Sequence, residues 1–278
     1  MNAFHLIGLP AGPERQAIDR TVEALDQVRS GETVFLSESA ASKPASSAAA
    51  FVRLSKIAQQ RRINIFTSLN LGGDLAEDLP GHDPALHYNA LCIFTRFGMV
   101  HVPQAKVAPQ AGEMAQSPRN ATVAPYDRVN LIRLDLDDHI VTARFLLSSD
   151  LMVFDRFSPR ELACHLLVVL ANFGALEAAT AIRLVGYALK RGVATTALVV
   201  SGFDPRESEK NAPTEVVIDA HVEASTAGWN RRSIRNRFFI HDDRKPLDAN
   251  ATGHLIVPQS RWRAPIALGQ YPVTVVLG

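Results

Sequence analysis

Three polar placements in this sequence could do chemistry. Glu38 follows directly on the apolar run VFLS. Lys106 closes a pair of apolar runs and precedes a long loop, and Ser148, Ser149 and Asp150 follow the run FLL. A carboxylate, an amine and hydroxyls are the groups from which proton transfer, charge stabilisation and nucleophilic attack are assembled. Each stands at the end of an expected strand, where layered α/β folds place ligand-contacting residues. Taken singly, each reads first as an ordinary polar residue closing a strand.

Other chemistry is not signalled. There is no G-x-G-x-x-G, no G-x-x-x-x-G-K-[ST], no H-E-x-x-H and no C-x-x-C. The nine histidines are scattered without an i, i+4 pair, so no metal and no cofactor is expected. Lys plus Arg is 29 against 28 Asp plus Glu, a net charge of +1, which argues against a dedicated nucleic-acid binder. The arginines of WNRRSIRNR (Arg231, Arg232, Arg235 and Arg237) could meet an acidic partner, but in so neutral a chain they read first as a solvated loop. With 47% apolar and 21% charged residues the chain is neither disordered nor fibrous.

No apolar run approaches the roughly 18 residues that span a bilayer, so no membrane partner is expected. The opening MNAFHLIGLPAGPERQ lacks the basic region and long apolar stretch of a signal peptide. Cys92 and Cys164 sit inside the apolar runs NALCIF and ELACHLLVV. Both read as reduced, buried thiols, which places the protein in the cytoplasm as an expectation.

The elements that must position these groups follow from periodicity. FHLIGL, TVFLSES and INIFTSLN read as strands. Between them, Ile18, Val22, Leu25 and Val28 recur at helical spacing, and a second helix runs through about Gln60. LGGDLAEDLPGHDPALH reads as a loop, and HYNALCIFTRFGMVHVPQAK as a hairpin turning at Gly98. Val107 to Asp127 is a long, proline-rich loop. LIRLDLDD and IVTARFLLSSD are strands, followed by a short helix near SPRELA, the strand HLLVVLAN, the helix GALEAATAIRLVGYALKRG and the strand ATTALVVSG. The pattern weakens from 204 to 236, apart from TEVVIDAHV. RFFIHDD, GHLIVP and YPVTVVLG close the chain as strands. With no internal repeat and no linker, one domain over residues 1–278 is expected. The class is α/β, or a layered sandwich with helices outside two sheets.

Taken together, the placements resemble the carbon–nitrogen hydrolase, or nitrilase, superfamily. That family carries a Glu after an early strand, a Lys after a hairpin and a Cys after a later strand, at spacings like those from Glu38 to Lys106 to Ser148. YNALCIFTRFGMVHVPQAK is similar to its hairpin, and KVAPQAGE resembles the segment that ends in a second glutamate, here Glu113. HLLVVLANFG, YALKRGVATTALVVSG and RFFIHDDRKPLDANATGHLIVP resemble later core segments. The likeness covers most of residues 3–203 and again about 236–258, whereas 204–235 fit the pattern poorly. The resemblance implies a four-layer α-β-β-α sandwich of the nitrilase type. It also implies a site in which Glu38 is the base, Lys106 the electrostatic stabiliser, Glu113 a supporting acid and Ser149 a backbone N–H donor. The implied ligand is a small amide, carbamoyl or nitrile compound. The apolar stripe Leu176, Ala179, Ile182, Val185 and Leu189 is explained by core packing, but the equivalent family helices often pair, so a homo-oligomer is expected.

The departure lies at the nucleophile. The family's C-x-D or C-x-E reads Ser148-Ser149-Asp150 here, and Ser37 stands where a proline usually precedes the glutamate. A thiol has a pKa of about 8.5, whereas a hydroxyl is a far weaker acid and is matched to a base such as His rather than to a carboxylate. His165 or His139 would have to approach in space. Cys164 is a weaker candidate nucleophile, because it stands at the approach to a strand instead of after FLL. Three readings follow: a C–N hydrolase in which Ser148 is an introduced replacement or an unusual working nucleophile, inactive, very slow or substrate-trapping; a pseudoenzyme that binds a small ligand or a partner protein; and a soluble α/β sandwich whose triad-like pattern is chance.

Overall fold

Alternation in FHLIG sends Phe4 and Leu6 to one face of a strand and Ile7 to the other, and both faces are apolar. The same two-sided burial recurs in LLVVLA, where Leu166, Val168 and Leu170 face one way and Leu167, Val169 and Ala171 the other. Strands of this kind belong to sheets covered on both sides. The computed structural model describes residues 3–8, 14–26, 28–38, 44–114, 123–136, 139–157, 163–172, 180, 184–188, 191, 193–194, 196–201, 215–219, 253–258 and 273–276.

Twelve strands are present among these residues: β1 (Ala3–Gly8), β2 (Thr33–Leu36), β3 (Asn64–Gly72), β4 (His87–Phe94), β5 (Val100–Ala105), β6 (Ile132–Leu136), β7 (His139–Leu147), β8 (Leu166–Ala171), β9 (Thr196–Ser201), β10 (Glu215–Asp219), β11 (Gly253–Pro258) and β12 (Val273–Val276). They form two six-stranded sheets, ordered β11-β1-β2-β3-β4-β5 and β10-β9-β8-β7-β6-β12. Helices α1 (Glu14–Leu25) and α2 (Pro44–Arg61) are the crossovers that parallel pairing of β1, β2 and β3 requires.

The sheets pack face to face through Phe4, Phe35, Phe66, Leu91 and Ile93 on one side and Phe145, Leu147, Val168 and Leu198 on the other. The rings of Phe66 and Phe145 stack 5.3 Å apart across the sheets, and Phe35 lies 4.9 Å from Phe66. Outside the first sheet, Ile7, Val34, Leu36 and Ile65 receive Leu25 of α1 and Leu54, Ile57 and Ala58 of α2. Outside the second, Leu167, Val169 and Val199 receive Val185 and Ala188 from the helical residues 184–188. The layers therefore run α-β-β-α, as the resemblance implies. Val185, the one described member of the expected stripe, is spent on this core.

Several local expectations shift. β3 continues through Leu71 and Gly72 into the expected loop, because Leu71 still packs on the outer core. The long loop after Lys106 contains a short helix, α3 (Ala111–Met114), and a bridge from Val123 to His87. After β7 the chain winds into a 3-10 segment, Ser148–Arg156. Most of the expected SPRELA helix, the strand RFFIHDD and the basic segment WNRRSIRNR lie outside the described residues. The hairpin of β4 and β5 turns at Gly98, whose φ of +86° is cheap only for glycine.

Candidate active site

The carboxyl ends of β2, β5, β7 and β8 gather at one edge of the sandwich, where the two sheets are joined by a backbone bond from Glu38 N–H to Ala171 C=O at 3.2 Å. β2 ends at Leu36, where Ser37 N–H still bonds Ile7 C=O of β1 at 3.0 Å and Glu38 N–H turns to the second sheet. β5 ends at Ala105, where Lys106 N–H still bonds Asn89 C=O of β4 at 2.7 Å. β7 ends where Ser148 adopts a φ of +43°, a left-handed conformation unusual for a residue with a Cβ.

These ends bring Glu38, Lys106, Glu113 and Ser148 together. Lys106 Nζ donates to Glu38 Oε1 and to Glu113 Oε1, both at 2.6 Å. The Ser148 hydroxyl donates to the other oxygen of Glu38, Oε2. Asn89 Nδ2 also donates to Glu38 Oε1, so that oxygen carries two donors while Oε2 is left for the serine. The backbone N–H of Asn172, just past β8, reaches Ser148 Oγ at 3.1 Å. Glu113 sits on α3 and turns its second oxygen back to Gln110 N–H at 2.7 Å, which fixes the carboxylate as a cap fixes a helix start.

The centre of the site is buried and charged. Lys106 is 1% exposed and Ser148 4%. Burial works against the charged amine, but the carboxylates of Glu38 and Glu113 and their hydrogen bonds outweigh it, so its pKa stands above the ordinary lysine value. Asp150 is fully buried beside them. Burial pushes its carboxyl up to about 6, against the backbone N–H groups of Ala108, Leu147 and Val107 and the Lys106 charge, which pull it back. The Ser149 hydroxyl bonds Ala108 C=O at 2.5 Å.

The arrangement can bind a polar group between a cation and a hydroxyl, and it can take a proton from that hydroxyl onto Glu38. Neither expected histidine is near. His165 stands just before β8, at the end opposite Ala171 and roughly 20 Å from it at the usual strand rise, where its Nδ1 lies 2.9 Å from Thr142 N and 2.7 Å from Thr142 Oγ1. His139 opens β7, at the far end from Ser148. Cys164 is buried in the outer core of the second sheet, and burial pushes its thiol up to about 12. Among the described residues no group of three or more His, Cys, Asp or Glu could hold a metal ion.

Sequence reasoning passed over three participants. Asn172 ends the strand next to β7, and the strand-end rule that singled out Ser148 would have found it. Asn89 is a polar residue opening the apolar run NALCIF, which is its only signal. Asp150 was visible as part of the tripeptide but carried no role.

No protein-family model and no curated protein matches the chain. Solved structures do. An amidase from Nesterenkonia sp. superposes with a TM-score of 0.52 at 16% identity, over 78% of this chain and 82% of its own. A cysteine-to-alanine mutant of the amidase from Nesterenkonia sp. AN1, solved in complex with butyramide, gives 0.52 at 17% identity, over 78% and 83%. A CN-hydrolase superfamily protein from Xanthomonas campestris, with an arsenic adduct in its active site, gives 0.58 at 12% identity, over 93% and 91%. With two facing six-stranded sheets, helices on both outer faces and these superpositions, the chain has the fold of the carbon–nitrogen hydrolase, or nitrilase, superfamily.

Proposed function

We propose that the pocket at Glu38, Lys106 and Ser148 binds a small neutral amide, carbamoyl or nitrile compound as a carbon–nitrogen hydrolase site does, and that Ser148 leaves turnover very slow or absent. The observation that carries this reading is the shared carboxylate. One Glu38 oxygen holds the Lys106 amine at 2.6 Å and the other receives the Ser148 hydroxyl, so base, cation and would-be nucleophile form one unit. In such a unit Glu38 takes the proton of the attacking group. Lys106, held in place by Glu113, and the Ser149 backbone N–H then face the negative charge that develops on the substrate. A carboxylate serves a thiol well in this step and a hydroxyl poorly.

The restoring variant is the test. Ser148→Cys, assayed on a panel of short aliphatic amides and nitriles that includes butyramide, is expected to hydrolyse at least one of them while the natural chain does not. Calorimetric titration of the natural chain with the same compounds is expected to give saturable binding. A Ser148→Cys protein without turnover, together with a natural chain that binds none of the panel, would defeat this reading.

The serine itself favours a second reading, a ligand-binding pseudoenzyme. Binding of the panel by the natural chain, with no gain of turnover in Ser148→Cys, selects it. A reduced cytoplasmic setting and a homo-oligomeric state complete the proposal. Light scattering of the purified chain tests the latter.

A further inference from the structure

The loops carrying Lys106 and Ser148 come from different sheets, and no strand ladder fixes one against the other. Side chains do. Asp150 Oδ1 accepts the backbone N–H groups of Val107 and Ala108, both at 2.8 Å, and its Oδ2 accepts that of Leu147 at 3.1 Å. Ser149 Oγ donates to Ala108 C=O at 2.5 Å. Ala108 is therefore gripped by both its N–H and its C=O. The bonds fall on the two residues after Lys106 and on the residue before Ser148.

We propose that Ser149 and Asp150 form a staple between the sheets that sets where the Lys106 amine stands relative to Ser148, and that both are positioning residues of the site. A buried carboxylate is an expensive way to fill space, since an apolar side chain would pack there without its desolvation cost. Its two oxygens are spent on the immediate neighbours of two site residues. The Leu147 bond also closes a four-residue turn, Leu147 to Asp150, in which Ser148 takes its left-handed conformation. The inference rests on reading Glu38, Lys106 and Ser148 as the functional site, but one arm of its test does not.

Ser149→Ala, which keeps the backbone N–H, and Asp150→Asn are made in the natural chain. Reductive methylation with labelled formaldehyde then follows Lys106, with the exposed Lys56 as internal control. With the staple cut, Lys106 is expected to leave its carboxylates part of the time and react about tenfold faster, Lys56 staying unchanged. In the Ser148→Cys background the same substitutions are expected to lower kcat on butyramide by up to about 100-fold, with KM changed much less, as for a misplacement of about 1 Å. Folded variants whose Lys106 reacts at the natural rate overturn the staple. If Asp150→Asn does not fold, Ser149→Ala decides by the same criterion. If Ser148→Cys shows no turnover, the hydrolase reading falls, and the methylation rates still decide the staple.

Discussion

Lys106 Nζ meets Glu38 Oε1 at 2.6 Å although β3 and β4 lie between their strands in the first sheet. At the usual strand spacing the two strands are roughly 14 Å apart. The gap is closed by two long side chains reaching over the strand ends, with Asn89 of β4 filling the space beneath as a third partner. The result is a buried ion pair that depends on every member being present.

Lys106→Met therefore leaves Glu38 and Glu113 facing each other without a cation. Removing one partner of a buried pair costs roughly 3–5 kcal/mol, and that loss is expected here by urea denaturation. Glu113→Gln keeps an acceptor, and its position is partly open to solvent, so it is expected to cost about 1 kcal/mol. Equal losses for the two variants would contradict this division.

Ser148 holds a left-handed backbone, which penalises any residue with a Cβ. Both Ser148→Ala and Ser148→Gly lose the hydroxyl contacts, so their difference isolates the backbone. Ser148→Gly is expected to be the more stable of the two by about 1 kcal/mol, the reverse of the order in a helix. Thermal melting of the pair checks it.

Neither Cys92 nor Cys164 is exposed, and burial raises both thiols well above the usual range. The native chain is expected to give no reaction with an aromatic disulfide reagent at pH 8, and two thiols after unfolding. Ser148→Cys is expected to add one thiol that reacts in the native state. Rapid labelling of either natural cysteine would contradict the packing described here.

Asp150 has a folded pKa of about 6 against an ordinary 3.8. Between those values the folded state holds the proton more tightly, so the stability from this group is full below about pH 4 and is lost as pH rises through 6. The shift corresponds to at most about 3 kcal/mol. Asp150→Asn removes the dependence. The stability of the natural chain relative to this variant is expected to fall from pH 4 to pH 7, measured by urea denaturation at each pH.

The strands and their two-sided cores were legible because apolar runs such as VFLS, HLLVV and TALVV have few other ways to be buried. The site was legible in part, since Glu38, Lys106 and Ser148 each follow such a run. The helix–sheet layering needed only the spacing of Ile18, Val22 and Leu25, which pack as that spacing predicts, whereas Val28 joins the same core from beyond the end of α1. The partnerships were not legible. Nothing in the order of residues says that Asn172 N–H points at Ser148 or that Asp150 grips Val107 and Ala108, because these contacts depend on how two separate sheets are set against each other. The 3-10 winding after β7 was missed for the same reason: it follows from the turn that Asp150 closes at Ser148, whereas periodicity reads only local spacing.

The sheet orders carry a consequence for biosynthesis. β11 covers the free edge of β1 and β12 covers that of β6, so both sheets wait for strands made late in translation. Until residues 253–276 have left the ribosome, two apolar strands each present an unpaired row of backbone groups, the kind of edge that recruits other chains. Closure of either sheet is thus expected only once these last strands have emerged. Ribosome stalling before residue 253 should yield nascent chains that aggregate or are held by chaperones, whereas nascent chains that expose residues 253–276 should close both sheets.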